Sequence, residues 1–430
     1  MKFLLPFLLC YLCIATYDVA GQNQEFSIPS LAELPRIDRN SRRQPAEIMK
    51  NSAFILKFRE HKPNGDAYVI LTDHQEKPYL ESLQKLARHR AGSLIQTDDL
   101  ALLYKDKDSF EAIRNQLITR GTHFLAIAPR LESYRENMLL GLWDMLTTLD
   151  PDPQLDVYPG ILLASNAESF ASLIDRSIGH QPLEGKALQP LAVSQVRTTR
   201  ETRSLQKAAI LRNLFDSYGL EMPIVALYTP LAAEAPVLTG KNVWNIRTAT
   251  PGEFVKKFSS GPSRSLQNAS LVMMHGHGSP GMSCSIDIDA IPLESANRIV
   301  LCGSCFSAAP VKSDFPTLSR APGGYSVKQR QAFSNRYIDR GATVFFGHMR
   351  LSSGFPHLFP VLEKWTQGAT VGEAYQQLLN AIIGMRGFRS GQFVATDIAD
   401  ARRIPQNILL YVVLGDPAVV PIARLRKPAP

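Results

Sequence analysis

Leu271-Val-Met-Met-His-Gly-His-Gly-Ser279 and Ile299-Val-Leu-Cys-Gly-Ser-Cys-Phe306 share one build: an apolar run that enters a turn of small residues carrying a reactive side chain. An apolar run of four or five residues bounded by glycine reads as a buried strand. In an open parallel sheet, functional groups collect beyond the carboxyl ends of the strands. If the two strands are parallel neighbours, His277 and Cys305 fall on the same sheet edge. They are 28 positions apart (305 − 277), room enough for a parallel crossover. Gly276 and Gly278 leave space for a substrate backbone. The amides of Gly278 and Cys305 are candidate donors to an oxyanion, with the imidazole as general base and acid and the thiolate as nucleophile.

The chain outside these segments alternates strands and helices. Strands are expected at Ala67–Thr72, Gly92–Gln96, His123–Ala128 and Asp156–Ala164, the last bulged at Pro159-Gly160. Helices are expected at Tyr79–His89, Ser109–Arg120 and Ala167–Gly179. After a Gln/Arg/Thr-rich stretch, Leu191–Arg203, the alternation resumes. Helices fall at Ser204–Tyr218, Pro251–Ser260, Ser326–Arg340 and Val371–Met385. Strands fall at Pro223–Tyr228, Ser270–His275, Arg298–Cys302, Ala342–Gly347, Asn407–Val413 and Val419–Ile422. This alternation predicts an α/β fold with mostly parallel strands and helices on both faces, in two lobes, residues 63–195 and 196–430.

Lys2, the apolar run Phe3–Ile14 and the small residues Ala20 and Gly21 read as an export signal over residues 1–21. The apolar run is shorter than the roughly 20 residues of a spanning helix, and no later segment reaches that length. A periplasmic or extracellular location is expected. Residues 22–62, polar and aperiodic, read as a leader or pro-segment. Loss of the signal leaves Cys284, Cys302 and Cys305, an odd count that does not make a disulfide scaffold. The 430 residues carry a formal charge of +8 without clustered basic runs, which argues against a nucleic-acid partner.

Other chemistries use the same residues. His275 and His277 with Cys302 and Cys305 are four legal zinc ligands. Cys302-Gly-Ser-Cys305 has the spacing of a thiol–disulfide exchange motif. A binding module without catalysis is a further alternative, and Cys284, His348 and His357 read as packing or loop residues.

Gly276-His-Gly-Ser279 followed by Val300-Leu-Cys-Gly-Ser-Cys305 resembles the His-Gly and strand-terminal Cys signature shared by caspases, legumains and gingipains. The strand and helix from Ala67, Leu173-Ile-Asp-Arg-Ser-Ile178, Gly341-Ala-Thr-Val-Phe-Phe-Gly347 and Val413-Leu-Gly-Asp-Pro417 are similar to the gingipain-like cysteine peptidases in particular. The resemblance implies a caspase-like α/β/α sandwich and an endopeptidase acting on polypeptides, with His277 and Cys305 as its catalytic pair. It requires no cofactor; the family's structural calcium has no signal in this sequence, and no metal ligand is assigned. The chain departs from the family at Ala128-Pro-Arg130 and at Gly160-Ile161. Relatives that prefer a basic residue hold an acidic side chain in the turn before the bulged strand, which implies Asp152 as the substrate-pocket residue.

Overall fold

The computed structural model describes residues 61–198, 203–232, 234–235, 237–247, 261–291, 296, 298–314, 332–352, 355–394 and 405–427. The expected signal peptide, nearly all of the leader and the helix expected at Pro251–Ser260 lie outside them. No described helix is long and apolar enough to cross a membrane.

Four strands, β1 (Ala67–Thr72), β2 (Ser93–Gln96), β3 (Thr122–Ala128) and β4 (Tyr158–Ile161), pair in the order β2-β1-β3-β4, all parallel. The helices between them are α1 (Lys77–His89), α2 (Lys107–Thr119) and α3 (Glu136–Leu146), and α4 (Ala167–Gly179) follows β4. The chain steps one way along the sheet from β1 to β2 and back across β1 to β3. Right-handed crossovers therefore put α1 and α2 on opposite faces. Asp106 caps α2 by accepting from the amides of Asp108 and Ser109, and Asn166 caps α4 by accepting from Ser169.

The second series begins with β5 (Pro190–Val196), α5 (Arg203–Asp216), β6 (Ile224–Tyr228), β7 (Val243–Arg247) and α6 (Gly261–Asn268). Then come β8 (Leu271–His275) and a small antiparallel sheet of β9 (Gly278–Ser279), β10 (Met282–Ser283) and β11 (Ile286–Asp287). The chain continues with β12 (Ile299–Cys302), α7 (Phe333–Asp339), β13 (Val344–His348), α8 (Phe355–Thr366), α9 (Val371–Arg386) and β14 (Tyr411–Leu414). Both series join in one sheet of eleven described strands, ordered β2-β1-β3-β4-β14-β13-β12-β8-β5-β6-β7. This is the mixed α/β architecture expected, a large and mostly parallel sheet flanked by helices. The two series share the sheet through β4 and β14.

Among the described strands of that sheet, β13 and β14 pair antiparallel, and β14 meets β4 at the single pair Leu414–Ile161. Beyond the ends of β12 and β13, the segment after β3 reaches the second half: Tyr134 Oη donates to the Ala308 carbonyl at 3.1 Å, and Glu136 pairs with Arg350.

Several elements correct the sequence reading. Pro190–Val196 is a fully buried strand at the heart of the second half, not the start of a polar boundary; its own Ser194 and Gln195 and the polar residues beyond it hid it. The stretch Pro405–Leu410 is a 3₁₀ helix, so β14 is shorter than expected. In place of a strand at Val419–Ile422, Ile422 makes one bridge to Leu183. Helix α3 went unrecognised because nearly every residue in it is buried, which removes the polar stripe that marks an amphipathic helix. Helix α8 carries Pro360 inside it, and proline ordinarily reads as a breaker.

Candidate active site

β8 and β12 are parallel neighbours with Leu271 opposite Ile299 and Met274 opposite Cys302. Their ends are level, and the Gly303 amide continues the ladder by donating to the Met274 carbonyl at 2.9 Å. The chain then turns on each strand, with His277 two residues past the end of β8 and Cys305 three past the end of β12. The turns meet at Gly278, where a Cβ would lie 2.2 Å from the Cys305 carbonyl oxygen and 2.9 Å from the Ser304 Cβ. Only glycine permits that approach. The structure thus brings together the expected residues His277, Gly278 and Cys305.

The neighbouring strands brace both turns. Gln195, next to last in β5, lies beside β8; its Oε1 accepts from the His277 amide at 2.8 Å and its Nε2 donates to Ser285 Oγ. On the other side, the segment after β13 holds the cysteine turn. The Phe306 amide donates to the Arg350 carbonyl at 2.7 Å, and Ser352 Oγ donates to the Gly303 carbonyl at 2.9 Å. The Ser352 amide lies 3.3 Å from Cys305 Sγ, in position to donate to a thiolate. Phe306, directly after the cysteine, has φ 56°, a left-handed conformation that is strained for an aromatic residue. Sequence reasoning missed Gln195 and Ser352. Gln195 lies on the unrecognised strand, and a serine in a loop carries no local signal of its role.

The remaining candidates separate by environment. Cys302 and Cys284 are wholly buried, whereas Cys305 is partly exposed, and none of the three is in a disulfide. Burial pushes the Cys302 thiol up and the Cys284 thiol well up. His275 turns to Lys207; burial, then that ammonium and His277, hold its imidazole well below the ordinary range and keep it neutral. Among the described residues, His275, His277, Cys302 and Cys305 do not gather within metal-ligand distance. That corrects the four-ligand zinc alternative: Cys302 points into packing and His275 toward α5. The exchange motif fares no better, since its first cysteine has no access to solvent.

Asp152 lies in the turn ahead of β4. Its Oδ1 accepts from the Gln154 amide at 2.8 Å and its Oδ2 lies 3.6 Å from His61 Nδ1, so local partners already engage both oxygens. A cleft of about 270 Å³ lies between His74, Tyr79, Arg130 and Phe170, and neither His277 nor Cys305 lines it.

No family model and no curated protein matches this chain. Among solved structures, the Saccharomyces cerevisiae separase–securin complex is similar at TM-score 0.37 and 13% identity; the match covers 68% of this chain and 15% of that one. Aspartate transcarbamoylase from Trypanosoma cruzi is similar at TM-score 0.20 and 11% identity, with 73% and 94% covered. Ornithine carbamoyltransferase from Thermus thermophilus stands at 0.21 and 11%, with 73% and 97% covered. The chain thus spans a small part of the separase chain and nearly the whole length of the carbamoyltransferases.

Proposed function

We propose that this chain is an exported, gingipain-like cysteine endopeptidase with His277 and Cys305 as its dyad. The observation that carries the proposal is the backbone contact of Gly278 with Cys305, which holds the histidine turn against the one partly exposed thiol among the described cysteines. In this reading His277 takes the Cys305 proton, and the thiolate attacks the carbonyl carbon of the scissile peptide. The carbonyl π electrons move to oxygen, where the amides of Gly278 and Cys305 donate to the oxyanion. Collapse breaks the C–N bond as the imidazolium gives its proton to the leaving amine, leaving a thioester. Water, deprotonated by His277, attacks that thioester and releases the carboxylic acid and the thiol. The Ser352 amide supports the thiolate throughout.

Cleavage of a peptide library by the purified chain, with Cys305→Ala and His277→Ala beside it, tests the proposal. Each variant is expected to lose roughly 10⁴-fold or more in rate while keeping its fold, since both positions lie in turns. Retention of more than a tenth of the activity by Cys305→Ala would reject the assignment.

A further inference from the structure

We propose that His61, Asp152 and Asp156 bind one zinc-class divalent ion, which fastens the segment ahead of β1 to the turn ahead of β4. One imidazole nitrogen and one oxygen from each carboxylate lie within 4.8 Å of one another. His61 Nε2 stands 2.9 Å from Asp156 Oδ1, and Nδ1 stands 3.6 Å from Asp152 Oδ2. The decisive member is Asp156. It is 7% exposed, and its Oδ2 meets no hydrogen-bond donor among the described residues. A buried carboxylate oxygen without a donor is costly unless a cation faces it.

The local charge is unbalanced in the same sense. Asp156 feels Asp150 as well as Asp152, and among the described residues no lysine or arginine forms an ion pair with Asp152 or Asp156. His61 supplies at most one positive charge against two carboxylates. A dication closes that gap. One imidazole and two carboxylates suit zinc better than calcium or magnesium, which take oxygen sets.

The geometry asks for modest movement. Tetrahedral zinc with bonds near 2.1 Å sets its ligands about 3.4 Å apart. The His61 ring must turn so that one nitrogen faces both oxygens. The Asp152 side chain, 42% exposed, is free to close in by about an ångström and leaves a side open to water. Asp156 is the fixed point: its amide donates to the Leu146 carbonyl, and the adjoining Leu155 amide donates to Asn380 Oδ1 at 2.7 Å. His61 and Asp156 are 95 residues apart, so the ion closes a long loop, where a metal clip removes the most chain entropy.

The test uses the full chain and Co²⁺ as an optical probe, with Zn²⁺ as competitor. One equivalent of Co²⁺ should bind, give visible bands without a thiolate charge-transfer band, be displaced by Zn²⁺, and raise the melting temperature by several degrees. Asp156→Asn and His61→Ala should each weaken binding at least tenfold, while Cys305→Ala and His277→Ala leave it unchanged. Should Asp156→Asn fail to fold, Asp152→Asn, in an exposed turn, is held to the same tenfold loss. Absence of saturable binding, a thiolate band lost in Cys305→Ala, or full binding in His61→Ala would each overturn the proposal.

Discussion

The Gly278 Cα–H faces the carbonyl oxygen of Cys305 so closely that a Cβ would stand 2.2 Å from it. The two turns touch backbone to backbone, and their separation sets the distance between imidazole and thiol. Gly278→Ala should therefore force them apart by about an ångström. The expected result is a fall in kcat/KM of about 100-fold, with the melting temperature lowered by only a few degrees. Peptide hydrolysis and the alkylation rate of Cys305 are the measurements. Activity within threefold of the parent would show that the contact does not position the pair.

Cys302 and Cys305 differ by three positions and by their surroundings. Cys302 ends β12 with no exposed surface, so Cys302→Ala should keep activity and cost about 1 kcal/mol of stability from lost burial. Denaturant titration and peptidase assays on the same preparation check this. A dead Cys302→Ala beside an active Cys305→Ala would reverse the assignment.

The buried pair Glu136–Arg350 links the two sheet halves beside the cysteine turn. Its N–O distance is 3.3 Å, the two side chains are 0% and 1% exposed, and Ser313 Oγ and the Asp314 amide also donate to Glu136. Burial drives the Glu136 carboxyl up against the pull of Arg350, so the pair is expensive to desolvate. Glu136→Gln leaves the guanidinium uncompensated and should cost about 3–5 kcal/mol. Replacing both by leucine should recover much of that loss. Activity should follow stability in the single variant, since the Arg350 carbonyl holds the Phe306 amide.

Two buried histidines make the fold sensitive to acid. His348 Nδ1 accepts from the Arg350 amide while Nε2 donates to the Asn407 carbonyl, a pattern that only the neutral ring satisfies. Burial pushes His348 down to about 4, and burial together with His348 and Arg386 pushes His357 to about 3. The unfolded chain protonates near 6.5. Between about pH 6.5 and pH 4 the unfolded state therefore binds more protons, and stability falls as pH falls, by up to about 2.7 kcal/mol per pH unit for the two sites. Urea titrations at pH 7.5, 6 and 5 measure the slope. His357→Phe, beside the ring of Tyr411, should flatten it by about half relative to the parent. An unchanged slope would mean that His357 is not held neutral.

Local pattern alone was enough for the strands at Ala67–Thr72 and Leu271–His275, the helix Ala167–Gly179, and the two strand-to-turn segments with His277 and Cys305. Those signals are short-range: apolar runs, a 3.6-residue period, a cap at Asn166, and glycines where a chain must turn. Buried elements escaped, as α3 and β5 did, because a segment covered on all sides has no polar face to set its period. Tertiary structure supplied the different surroundings of the two histidines and the three cysteines, since residues two or three apart differ only in what packs around them. It also decided which distant segments meet: Glu136 reaches Arg350, and Gln195 and Ser352 reach the turns of His277 and Cys305. Such contacts follow from strand order, and strand order is set by how whole layers bury their apolar faces, which no window of sequence contains.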